Sequence, residues 1–159
     1  MRVRGRLDER GATLMEFALV LPLLFILIFS VLDFGMYFFV QHTIQFATRE
    51  GARLALVGGT LTDASGNPLS REASIVKRIR DRAAVAMDPA RVVISLYPLG
   101  DDNSAPADSS TRLDAGSPGS TMRVRVSYDY VFVTPALHEI MTDGALPARA
   151  QATYRNELY

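Results

Sequence analysis

The chain is 159 residues long with 17 basic and 17 acidic side chains, no cysteine and no tryptophan, and 48% of it is apolar. The lack of cysteine excludes a disulfide scaffold, a thiolate nucleophile and a cysteine metal site, and the zero net charge argues against the basic footprint of a nucleic-acid-binding domain. Length allows one modest domain, and a mean hydropathy of +0.12 beside 21% charged residues requires the apolar residues to be concentrated in one segment.

That segment runs from Ala12 to Val40, ATLMEFALVLPLLFILIFSVLDFGMYFFV, with Thr13, Glu16, Ser30 and Asp33 as its polar members. About 20 helical residues cross a bilayer's hydrocarbon core, so residues 12–40 predict one transmembrane helix. The residues before it carry Arg2, Arg4, Arg6 and Arg10 against Asp8 and Glu9, whereas Arg49 and Arg53 beyond it are partly offset by Glu50. The positive-inside bias therefore places the N-terminus in the cytoplasm and the remainder outside. A cleaved secretory signal is the competing reading, but its apolar core is about 7 to 15 residues and ends in a small-x-small site, whereas this run continues into FGMYFFV. Pro22 predicts a kink that a membrane helix tolerates.

Past the span, Val40, Ile44, Ala47, Leu54 and Val57 recur near helical spacing, Glu50 and Arg53 are placed to pair, and Gly58 and Gly59 stop the helix. Residues 41–58 thus predict an extramembrane continuation, and residues 59–159 an extracytoplasmic domain. Ser70 is set to cap a second helix whose apolar face is Ile75, Val76, Ile79, Ala83, Ala86 and Met87, ending at Asp88 and Pro89. Alternation predicts three strands. In the first, Val92, Ile94 and Leu96 alternate with Val93, Ser95 and Tyr97; the second runs from Met122 to Phe132, and the third carries Leu146, Ala148, Ala150, Ala152 and Tyr154. Gly100 to Ser120 reads as a long mobile loop, and Pro135 to Met141 as a short helix. The order predicts an α+β fold: a long N-terminal helix, a second helix and a three-stranded antiparallel sheet.

Few residues carry chemistry. DFG at 33–35 lacks the phosphate loop and catalytic loop of a kinase. His42 and His138 are the two histidines, and HEIMTD lacks the second histidine of a zinc-protease helix. Asp101, Asp102, Asn103, Asp108 and Asp114 lack the spacing and glycine of a calcium loop, and Lys77, Arg78, Arg80 and Arg82, interrupted by Asp81, read as a solvated helix face. No catalytic triad, phosphate loop or paired catalytic carboxylates can be assembled, so the expectation is a protein that is not an enzyme and has no cofactor or metal. Glu16 stands out, because an ionisable side chain in an apolar run is costly and hence a functional candidate.

The stretch RGATLMEF, with a basic leader, Gly11, a small residue and Glu16 at the fifth position from Ala12, resembles the processing site of type IV prepilins. More narrowly, the chain from about residue 10 to 57 resembles the TadE-like family, pseudopilins of the Tad (Flp) pilus, through RGA, EFALVLPLL, DFG and ATREGAR. MRVRVSYDYVFVTP and ARAQATYRNE are consistent with it. The resemblance implies a pilin-like fold, a leader of residues 1–11 removed by a prepilin peptidase between Gly11 and Ala12, and Glu16 as an assembly carboxylate. It also implies an inner-membrane, pilus-associated subunit whose partners are that peptidase, other pilins or pseudopilins, the pilus assembly platform and membrane lipid, with no nucleic acid. The alternative function is a single-pass anchored extracytoplasmic sensing or binding domain that is never processed.

Overall fold

The computed structural model describes residues 5–140 and 144–157. Arg2 and Arg4 of the leader, and Met141 at the expected end of the short helix, lie outside the described residues. In chain order the elements are α1 (Gly5–Leu56), α2 (Arg71–Ala83), a single 3-10 turn (Pro89–Arg91), β1 (Val93–Pro98), β2 (Thr121–Val131), α3 (Pro135–Ile140) and β3 (Ala145–Arg155). This is the expected α+β architecture, with an antiparallel sheet in the order β1-β2-β3.

Packing divides the chain into two units, residues 1–36 with 131–145, and residues 37–130 with 146–159. In the second unit the C-terminal half of α1 buries Val40, Ile44, Ala47, Ala52 and Ala55 in one core with Ile75, Ile79 and Ala83 of α2 and Leu96, Met122, Val124, Val126 and Ala148 of the sheet. The buried stripe of α1 departs from the expected one in its last turns. Gly51, Ala52 and Ala55 face inward, while Leu54 is half-buried and Val57 is exposed. The cause is close helix approach: a Cβ at Gly51 would strike the side chain of Ile79. Small residues let the two helices meet there, where a leucine would hold them apart.

Local signals set the helix ends. Gly58 takes φ +65°, with its N–H donating to the Ala55 carbonyl at 3.2 Å and the Gly59 N–H to the Leu54 carbonyl at 3.1 Å. These are the two bonds of a Schellman termination, and the left-handed residue favours glycine. Ser70 caps α2 by accepting the Ala73 N–H at 3.2 Å, and Glu50 pairs with Arg53 at 3.4 Å.

The connection from Gly100 to Ser120 corrects the expectation of a free loop. It returns beside β1, where Leu96 N–H donates to the Arg112 carbonyl and Asp114 N–H to the Leu96 carbonyl, both at 2.8 Å. Leu113 bridges Leu96 in parallel, so the free edge of β1 is covered there, and Ser95 and Tyr97, which alternate with Ile94 and Leu96, are buried as well. Asp114 locks this return by accepting from Arg112 at 2.8 Å and from the Gly116 N–H at 2.8 Å. The Arg112 guanidinium, then the Gly116 amide, hold the Asp114 carboxyl below its ordinary range, and Arg112 is held correspondingly high by Asp114. A polar hub closes the same end. Arg71 donates to the Ala55 carbonyl at 2.6 Å and to Asn156 Oδ1 at 2.8 Å, while Asn156 Nδ2 donates to the carbonyls of Ala115 and Ser117 at 3.0 and 2.9 Å. On the opposite side of the unit, the Gln41 side chain makes two hydrogen bonds to the backbone of Arg149, donating to its carbonyl at 2.9 Å and accepting its N–H at 3.2 Å.

Candidate assembly segment

In the first unit, α1 is continuous through Gly11, Pro22 and Gly35. Its residues from Gly11 to Leu32 are exposed on every side of the helix, save for half-buried Leu21 and Ser30. Leu14, Leu19, Leu23, Leu27, Val31 and Leu32 are each at least 60% exposed. A helix apolar all round has no polar face to give to water, the pattern of a segment that could cross a membrane. The 12–32 stretch is roughly 30 Å long at about 1.5 Å per residue, the thickness of a bilayer's hydrocarbon core.

The sequence-predicted site residues lie at the start of this stretch. Gly11 has no atom within 4 Å of where a Cβ would stand, so no other part of the described chain shields the Gly11–Ala12 bond. The bond lies inside regular helix. A peptidase requires extended backbone, and glycine lowers the cost of unwinding here by about 1 kcal/mol relative to alanine. Glu16 is exposed and sits one turn beyond Ala12 on the same helix face.

At the far end the structure adds a residue whose role the sequence did not disclose. Asp33 is 6% exposed and accepts the backbone N–H groups of Val133 and Thr134 at 2.9 and 2.8 Å. Thr134 precedes α3, so the carboxylate satisfies donors at the start of that short helix. Phe34 stacks edge-on against Phe132 with ring centroids 5.4 Å apart. Asp33 is buried and Phe34 half-buried, Gly35, Met36, Phe38 and Phe39 are again exposed, and before Asp33 the chain offers almost no cover.

The acidic loop residues are engaged locally. Asp102 accepts the Ser104 N–H at 3.1 Å, Asp108 pairs with Arg112 at 3.6 Å, and Asp114 takes the bonds described above. Among the described residues, no group of three or more His, Asp or Glu side chains is placed to hold a metal ion.

No curated protein and no solved structure matches the chain. The family model described as TadE-like protein matches residues 11–53, which takes in the exposed apolar helix, Glu16, Asp33 and most of the buried half of α1. Over those residues the chain is similar to TadE-like proteins, and among the described residues one helix is long and apolar enough to cross a membrane.

Proposed function

We propose that the chain is a prepilin-like subunit of a Tad-type pilus assembly, held in the inner membrane by residues 12–40 and cut between Gly11 and Ala12 by a prepilin peptidase. The observation that carries this reading is the apolar helix segment without protein cover, opening on Gly11, Ala12 and Glu16 and coinciding with the TadE-like match. Removal of residues 1–11 takes away four of the 17 basic and two of the 17 acidic side chains, leaving a formal charge of −2 before the new termini are counted. The new α-amine of Ala12 is cationic at neutral pH, and Glu16 four residues along can neutralise it or that of a neighbouring subunit. An unpaired charge in a water-poor helix bundle costs several kcal/mol, so the pairing favours one axial register between subunits. The outer residues, from about Gln41 on, stand on the periplasmic side because the leader arginines hold the N-terminus inside.

The test is the intact mass of membrane-extracted protein from cells with an active prepilin peptidase, together with piliation in a Glu16→Ala strain. The expected mass lacks Met1–Gly11, Gly11→Leu blocks the cut, and Glu16→Ala leaves membrane abundance unchanged while removing the contribution to pili. A product that retains the leader overturns the proposal in favour of an unprocessed membrane anchor. Normal pili from Glu16→Ala overturn the role of the carboxylate.

A further inference from the structure

The outer face of the sheet carries a groove of about 290 Å³ lined by Val93 and Ser95 of β1, Arg125 and Ser127 of β2, Arg149 of β3, and Ser110 of the returning connection. Register builds it: Ser95 pairs with Arg125 and Val93 with Ser127, so alternate residues of neighbouring strands converge on one face. Arg123 and Arg155 are engaged elsewhere, donating to Thr153 Oγ1 at 3.2 Å and to the Gly119 carbonyl at 2.9 Å. The guanidinium groups of Arg125 and Arg149 have no hydrogen-bond or ion-pair partner among the described residues. Ser95 is 2% exposed and lines the groove, and no protein partner takes its hydroxyl there. Two exposed guanidinium groups without a protein partner, opening on one groove beside serine hydroxyls, offer charge-assisted donors to an anion. The site is also preorganised, because the two Gln41 bonds fix the backbone from which the Arg149 side chain extends.

We propose that this groove binds the carboxylates of an extended acidic segment of a partner protein. The volume holds one or two acidic side chains and is too small for a folded element. An extended peptide presents alternate side chains on one face, so two of its carboxylates can address Arg125 of β2 and Arg149 of the neighbouring β3. Nucleic acid is the other polyanion such a surface can attract, but no aromatic side chain lines the groove for a base to stack on. The inference goes beyond the pilus reading and does not depend on processing, since every residue in it, Gln41 included, lies far beyond Ala12.

The test uses the full chain in detergent micelles, with a fluorescent hexaglutamate peptide as probe and a hexathymidylate oligonucleotide of matched length as comparison. The expected result is peptide binding that weakens with salt and falls about tenfold or more in Arg125→Gln/Arg149→Gln. The charge-matched control Arg80→Gln/Arg82→Gln, on exposed positions of α2, binds as the parent does. Ser110→Glu, which supplies a carboxylate from the groove wall, also abolishes peptide binding while keeping both arginines. Absence of peptide binding by the parent, equal binding by the double variant, or tighter oligonucleotide binding through the same arginines each overturns the proposal. None of these readouts involves leader removal or pili, so failure here is separate from failure of the proposed function.

Discussion

The two halves of α1 are both rich in apolar residues yet differ in how the rest of the chain covers them. Between Ala12 and Leu32 large apolar side chains occupy every side and almost none is covered, while between Val40 and Ala55 burial falls on one stripe and polar residues such as Gln45, Arg49 and Arg53 take the other side. The contrast shows that hydrophobicity alone does not tell a core helix from a membrane helix; its distribution around the axis does. Composition changes with it. The uncovered half uses Leu, Ile and Phe, and the buried half admits Gly51, Ala52 and Ala55, because close packing against a second helix selects for shape.

The sharpest way to break the comparison is a matched pair of truncations. Ile44→Ala is expected to lower the unfolding free energy of the outer residues by about 2–5 kcal/mol, whereas Leu24→Ala leaves it unchanged, as read by denaturant titration in micelles. Equal losses at both positions would show that the 12–32 segment is packed by protein after all. A smaller effect locates the border between the halves. Asp33→Ala strands the N–H groups of Val133 and Thr134 and is expected to cost about 1–3 kcal/mol, seen as faster hydrogen exchange confined to the start of α3. Unchanged exchange there would remove Asp33 as the border. The mildest perturbation is acid. The Asp114 carboxyl lies below its ordinary value in the folded chain, so the stabilisation it gives is present above about pH 4 and is lost as pH falls through the depressed folded value. The amide signals of Ala115 and Gly116 should move in that acid range while those of Ile44 stay fixed, and Asp114→Asn should abolish the pH response.

Much of the fold was legible because it is encoded locally. The uninterrupted apolar run, the Ser70 cap, the Gly58–Gly59 stop and the alternation in β2 and β3 each need only neighbouring residues to be read. The candidate segment was legible for the same reason, since Gly11, Ala12 and Glu16 lie within six positions of one another. What escaped involves partners distant in sequence. Asp33 meets Val133 and Thr134 about a hundred positions away, Arg71 meets Asn156, and Leu96 receives a loop whose composition signals only turns. A carboxylate in an apolar run advertises a cost without naming the donor that offsets it. Likewise, alternation in β1 predicts one open face but is silent about a connection that folds back beside it.

The bidentate contact of Gln41 with Arg149 bears on how copies of this chain can meet. β3 is an edge strand, and a residue whose N–H and carbonyl both point away from the sheet is where an incoming strand would dock. A glutamine amide carries the same donor and acceptor as a peptide group, so α1 supplies from within the chain the rung that a neighbouring molecule would otherwise add. The border of the sheet is sealed at that rung against continuous cross-molecular β-pairing.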